Sequence, residues 1–145
     1  MNLALILEMA ASGMDDRVAV TTADRQLTYA ELQRLAGRAA DVIDEVGATS
    51  VLYLGTNHAA LPVALFGAAI AGVVFVPLNY RLGEQQLDRM VRSHPGALLI
   101  HEREVSPEWT DLAGTYDRNA FIELVDAPDR ADRSAPASDD AESPA

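Results

Sequence analysis

The stretch from Ser50 to His101 constrains this chain more than any other. It holds three short apolar runs, Ser50 to Gly55, Val73 to Val76 and Ala97 to His101. Between them lie two segments with helical spacing, about Ala59 to Ala71 and Glu84 to Ser93. A run that is apolar at consecutive positions rather than alternate ones marks a strand buried on both faces. Strand, helix, strand, helix, strand with short connections predicts right-handed crossovers and a parallel sheet. The expected fold class is therefore α/β, built on a parallel-sheet βαβαβ unit.

The flanks extend this unit. Asn2 to Ser12 predicts a short helix ended by Gly13, with Leu3, Ile6, Leu7 and Ala10 on one face. Val18 to Thr22 and Gln26 to Thr28 predict two short strands around the turn Ala23-Asp24-Arg25. Thr28-Tyr29-Ala30-Glu31 has the form of a capping box. Leu32, Leu35, Ala36, Ala39, Val42, Ile43 and Val46 then follow helical spacing up to Gly47, a residue suited to a left-handed C-cap. That predicts a helix from Tyr29 to Val46. Thr56 or Asn57 is expected to cap the helix that starts near Ala59, and Leu87, Met90 and Val91 to face inward from the next. Past His101, Ser106-Pro107-Glu108 predicts a short helix through Leu112, and Asp117 caps another from Arg118 to Val125. The last twenty residues hold six acids against two arginines and no apolar side chain larger than alanine or proline. Such a segment lacks the surface to order itself. The expected organisation is one incomplete α/β domain over residues 1–125 and a flexible, disordered acidic tail over 126–145. No internal repeat is evident.

Composition excludes several functions. The formal net charge is -11, and all eleven basic residues are arginines. So acidic a chain repels phosphate backbones and anionic bilayers, which argues against nucleic-acid partners. With no cysteine there are no disulfides, thiol nucleophiles or thiolate metal sites, in keeping with the cytoplasm. The apolar start lacks a basic leader region and is interrupted by Glu8, unlike a signal peptide. Ala59 to Leu78 is twenty residues without a charge, the nominal length of a membrane span. Pro62, Gly67, Gly72 and Pro77 interrupt it and no basic cluster flanks it, so it is expected to be a buried helix, a glycine turn and a buried strand with no membrane span.

Familiar catalytic patterns are missing. There is no G-x-S-x-G elbow. His58, His94 and His101 have no ligand spacing; His101 with Glu102 and Glu104 is either a metal corner or a strand end running into a solvated acidic turn, and the second is expected. The turn Gly55-Thr56-Asn57-His58 has one glycine rather than a dinucleotide fingerprint. A P-loop needs a lysine, and the chain has none. No catalytic residue and no metal ligand are assigned.

Two segments resemble a known family. Leu27-Thr28-Tyr29-Ala30-Glu31-Leu32 with its helix, and Ala64 through Val76-Pro77-Leu78-Asn79-Tyr80-Arg81-Leu82, with an apolar strand between them, look like the start of the acyl-adenylate-forming (AMP-binding) superfamily. That superfamily includes acyl-CoA synthetases, luciferases and peptide-synthetase adenylation domains. The likeness covers roughly residues 15 to 101, and its Pro-Leu-Asn-x-Arg-Leu ending resembles acyl-CoA synthetases more. It implies an incomplete N-terminal α/β domain whose parent joins a carboxylate to ATP, releases pyrophosphate, and passes the acyl group to a thiol. ATP, Mg²⁺ and CoA are the cofactors implied for such a parent. The phosphate loop and two lysines that this chemistry demands lie, in the family, downstream of the matched region. The resemblance makes Arg81 a candidate contact for the CoA 3'-phosphate, or else an anchor of its loop through a carboxylate. Asn57 is expected to be a helix cap rather than a ligand, and Asn79 to brace the turn after Pro77. Gly83 stands where the family commonly has Thr or Ser, which weakens the next cap by a few tenths of a kcal/mol.

Three functions remain open on the sequence. The chain is the scaffold front end of an acyl-CoA synthetase, inactive alone and completed by the missing downstream part in cis or in trans. Or it is a stand-alone module that pairs with a partner subunit, with exposed apolar surface as its mark. Or it is a small nucleotide-binding α/β domain.

Overall fold

The computed structural model describes residues 3–23, 25–79 and 81–127. Eleven elements follow in order. They are α1 (Leu3–Met14), β1 (Val18–Thr21), β2 (Gln26–Thr28), α2 (Tyr29–Val46), β3 (Ser50–Leu54), α3 (Ala60–Ala71), β4 (Val74–Leu78), α4 (Glu84–Arg92), β5 (Ala97–His101), β6 (Leu112–Asp117) and α5 (Arg118–Val125). The first two strands form an antiparallel hairpin. The other four form one sheet, in the order β4-β3-β5-β6, and every pair is parallel.

Local chemistry sets the best-defined element. The Thr28 hydroxyl accepts the Glu31 N–H at 3.1 Å, and the Glu31 carboxylate accepts the Thr28 N–H at 2.8 Å. The bond from the Thr28 amide, against a small opposing effect of burial, holds the Glu31 carboxyl below the usual glutamate range. At the other end Gly47 takes φ 69°, and α2 closes in a left-handed cap.

Alternation along β3 and β5 divides the core. Val51, Tyr53, Leu98 and Ile100 face one side, where they pack with Leu7 of α1, Leu35 and Ile43 of α2, Val63 of α3 and Phe121 of α5. Leu52, Leu54, Ala97 and Leu99 face the other, against Leu87 and Val91 of α4. All of β3 is buried. Helices α2 and α3 approach closely at small residues: a Cβ added at Gly67 would lie 2.7 Å from the Ala39 Cβ and 3.2 Å from the Ala36 carbonyl oxygen.

Several expectations are corrected. The buried stripe of α1 is Ala4, Leu7 and Ala11, not Leu3, Ile6, Leu7 and Ala10. Small residues on either side of Leu7 let the helix lie close on its neighbours, and the chain continues helical through Gly13. Leu5 is 50% and Met9 66% exposed. The strand after Gly72 is not buried. β4 is an edge strand, Val74 is 64% exposed, and Pro77, which has no N–H to donate, sits where an edge tolerates it. Ser106 to Leu112 is not a helix. Trp109 N–H bonds back to Ser106 O at 3.1 Å in a single turn, and Leu112 instead opens β6 by pairing with Ala97. The strand β6, Leu112–Asp117, was not expected at all. Of the 126–145 tail, Asp126 and Ala127 are anchored: Asp126 pairs with Arg25 at 3.5 Å and Arg34 at 3.6 Å. The rest of the tail lies outside the described residues.

One buried charge fastens this end. Arg38 of α2, only 7% exposed, donates through Nη1 to the carbonyls of Val125 and Ala127, both at 3.2 Å. A guanidinium at a helix C-terminus satisfies carbonyls that have no helical partner and complements the dipole.

Candidate functional site

All four parallel strands end at one edge of the sheet. After β3 the chain crosses to α3 on one face. After β5 it enters the 102–111 connection, whose Val105 and Trp109 pack on the other face. Adjacent strands that send their connections to opposite faces leave a crevice between their carboxyl ends, the place where open α/β sheets bind ligands. In sheet order, the residues at this edge are Arg81 after β4, Thr56 after β3, Glu102 after β5 and Arg118 after β6.

The crevice is occupied by the chain's own carboxylate. Glu102 N–H continues the ladder to Leu54 O at 3.1 Å, which turns its side chain over the β3–α3 turn. There it accepts the Thr56 N–H and, at 3.3 Å, the Thr56 hydroxyl. Arg118 Nη1 lies 3.1 Å from the same carboxylate and donates to Thr56 Oγ1 at 3.1 Å. Gly55 makes room, since a Cβ there would stand 3.1 Å from Glu102 Oε1. Beneath it the Tyr53 hydroxyl donates to Thr56 O at 2.8 Å. Burial pushes the Tyr53 phenol up, with Arg118 opposing. The solvated acidic turn expected after His101 is thus half corrected: Glu102 is turned inward, while Glu104 is exposed.

His58 is structural. Its Nδ1 accepts the Ala60 N–H at 3.0 Å, so the ring proton sits on Nε2 and is donated to Asn119 Oδ1 at 3.0 Å. His58 therefore does the capping expected of Thr56 or Asn57; the N-cap residue itself is Ala59, without a side-chain bond. Asp117 caps α5 as expected, accepting from Asn119 N at 2.9 Å and Ala120 N at 3.3 Å. His94 Nδ1 donates to Met90 O at 2.9 Å. His101 Nδ1 is buried without a hydrogen-bond partner. Among the described residues no three His, Asp or Glu side chains converge as a metal site. The three histidines stay apart; His94 Nδ1 also lies 3.2 Å from the Ser93 hydroxyl, its neighbour in the chain, which itself donates to Met90 O at 2.7 Å.

Arg81 is exposed on the loop after β4, and its N–H is held by Asn79 Oδ1 at 2.9 Å. Asn79 braces the turn as expected, and Gly83 precedes α4 without a side-chain cap. Arg81 shares the carboxyl edge with Thr56, Glu102 and Arg118, separated from Glu102 by β3. Sequence reasoning did not find the Glu102–Thr56–Arg118 brace or the His58–Asn119 pair. The only signal available was an acid directly after a buried strand.

Comparison with known proteins gives these features a context. The family model for "AMP-binding enzyme" matches residues 7–145. A feruloyl-CoA synthase from Amycolatopsis sp is 44% identical over 81 residues, 54% of this chain and 16% of that protein. A medium/long-chain-fatty-acid–CoA/3-oxocholest-4-en-26-oate–CoA ligase from Mycobacterium tuberculosis is 33% identical over 106 residues, 71% of this chain and 19% of its own length. The crystal structure of the N-terminal domain of FACL13 from Mycobacterium tuberculosis superposes with TM-score 0.78 at 22% identity, over 95% of this chain and 38% of that one. The chain thus spans less than a fifth of these two relatives. Among the described residues no helix is long and apolar enough to cross a membrane.

Proposed function

The chain belongs to the AMP-binding enzyme family, and on that premise we propose that it is the N-terminal scaffold portion of an ATP-dependent acyl-CoA synthetase. The observation that carries this reading is the sequence shared with CoA synthases and ligases that are several times longer. On this reading the chain supplies a sheet and its helices, and the downstream part supplies the chemistry. The parent adenylates a carboxylate with ATP and Mg²⁺ and transfers the acyl group to CoA in the cytoplasm.

The residues present here do not fit a triphosphate. The β3–α3 turn, whose Thr56 amide faces the carboxyl edge, is filled by Glu102, and the chain has no lysine. No step of adenylation is therefore assigned to this chain, and the same contact weighs against an independent nucleotide-binding domain. A single phosphate is a smaller demand, and Arg81, exposed at the carboxyl edge, fits the role of a CoA 3'-phosphate contact. The exposed apolar side of α1 and the uncovered edge of β4 favour completion by further polypeptide, in cis or in trans.

The test is carboxylate-dependent ATP–pyrophosphate exchange, measured on this chain alone and joined to the polypeptide encoded downstream of codon 145. No exchange alone and exchange on joining is the expected pattern; exchange by the isolated chain overturns the scaffold reading. In the joined protein, Arg81→Ala is expected to raise KM for CoA about tenfold and to leave KM for dephospho-CoA unchanged, the loss of one charge-assisted phosphate contact.

A further inference from the structure

The two sides of the sheet differ in what covers them. Among the described residues four helices lie on one, and α4 alone lies on the other. The connection from β5 to β6 is ten residues with no helix, although parallel neighbours are usually joined by a crossover helix of a dozen residues or more. An open groove of about 840 Å³ lies between α4 and this connection. Of its apolar lining, Leu87 is wholly buried, Val105 and Trp109 are half-buried and Pro107 is exposed.

The charges around the groove are unevenly matched. Asp88 accepts a bidentate pair from Arg92, both bonds 2.9 Å, and the Trp109 Nε1–H at 2.9 Å. Glu108 is 3.5 Å from Arg92. Glu84 and Glu104, also lining the groove, carry no ion pair among the described residues. Arg103 is the one cation in the lining.

We propose that this groove docks a basic amphipathic helix from a partner polypeptide, its apolar stripe against Val105, Pro107 and Trp109 and its lysines or arginines toward Glu84 and Glu104. The volume holds about two helical turns, and the groove runs between α4 and the helix-free connection. Charge complementarity selects the partner. A second copy of this chain is a poor occupant, since its acids outnumber its basic residues 22 to 11.

Trp109 is the only tryptophan, so its emission reports the groove directly. The full chain is titrated with a synthetic helical peptide bearing leucines at i, i+3, i+4 and i+7 and lysines on both flanks. A saturable shift of Trp109 emission is expected, weakened severalfold on raising salt. A charge-reversed peptide with glutamates for lysines is expected to give none. The double variant Glu84→Gln, Glu104→Gln, which leaves the Asp88–Arg92–Trp109 cluster intact, is expected to bind the basic peptide about fivefold more weakly with an unchanged circular-dichroism spectrum. The proposal is overturned if the basic peptide leaves Trp109 unmoved, if the acidic peptide shifts it equally, or if spermine alone produces the same shift and competes. It is also overturned if the shift follows self-association in sedimentation rather than peptide addition. The pyrophosphate-exchange test reads neither Trp109 nor the groove, so the two ideas fail separately.

Discussion

Leu98 and Leu99 are neighbours on β5, both wholly buried, yet they live in different surroundings. Leu98 points into the side closed by α1, α2, α3 and α5, where Gly114 brings the next strand close. Leu99 points into the side covered by α4 and a helix-free connection. Equal burial in a single chain therefore hides unequal support. A well-braced side cannot collapse into a hole, and an open side can, so the cost of the same truncation should differ.

The largest expected effect tests that difference. Leu98→Ala should cost about 4 kcal/mol in denaturant unfolding and Leu99→Ala about 2–3 kcal/mol. Equal losses would break the comparison. Within the braced side, Gly67→Ala forces a methyl group to within 2.7 Å of Ala39. It should cost about 1–3 kcal/mol despite its better helix propensity, and Ala39→Gly should recover part of the loss; no recovery would mean that the α2–α3 contact is not the limiting one. The smallest effect is local to α2. The Glu31 carboxyl is held below its ordinary value of 4.5. Its contribution is therefore present above the unfolded value and is lost as pH falls through the lower folded one. Glu31→Gln should remove that part of the acid-side decline in Tm, about 1 kcal/mol or less because the group is largely solvated. An identical pH profile in the variant would show that the capping box carries no charge-dependent stability.

What the sequence disclosed follows the range of the interactions involved. The helix Tyr29–Val46 was legible to the residue because its capping box and Gly47 are local signals. β5 and α5 were equally plain, the one as a continuous apolar run and the other with its own Asp117 cap. β6 was hidden, since Leu-Ala-Gly-Thr-Tyr-Asp carries a glycine and little apolar surface, and pairing with β5 makes it a strand. The burial of β4 was overestimated because an edge and a central strand can share the same β-branched composition. A short motif singled out Arg81 and Asn79, which the structure places together after β4. Glu102 meets Thr56 across 46 positions, and His58 meets Asn119 across 61, beyond any periodicity.

The clasp between Arg38 and the end of α5 carries a consequence for the order in which the molecule is made. The guanidinium is translated early and its acceptors, the carbonyls of Val125 and Ala127, come 87 and 89 positions later. While the chain emerges from a ribosome, α2 and α3 can meet as soon as both are out, before these two acceptors of Arg38 have been made. Until α5 docks, the guanidinium stays in water and the apolar surface that Phe121 and Val125 cover is open, so the early helices are expected to stay looser until α5 arrives. The docking of α5 then acts as a completion signal: nascent chains stalled before Ala127 should be more protease-sensitive throughout α2 than chains released beyond it.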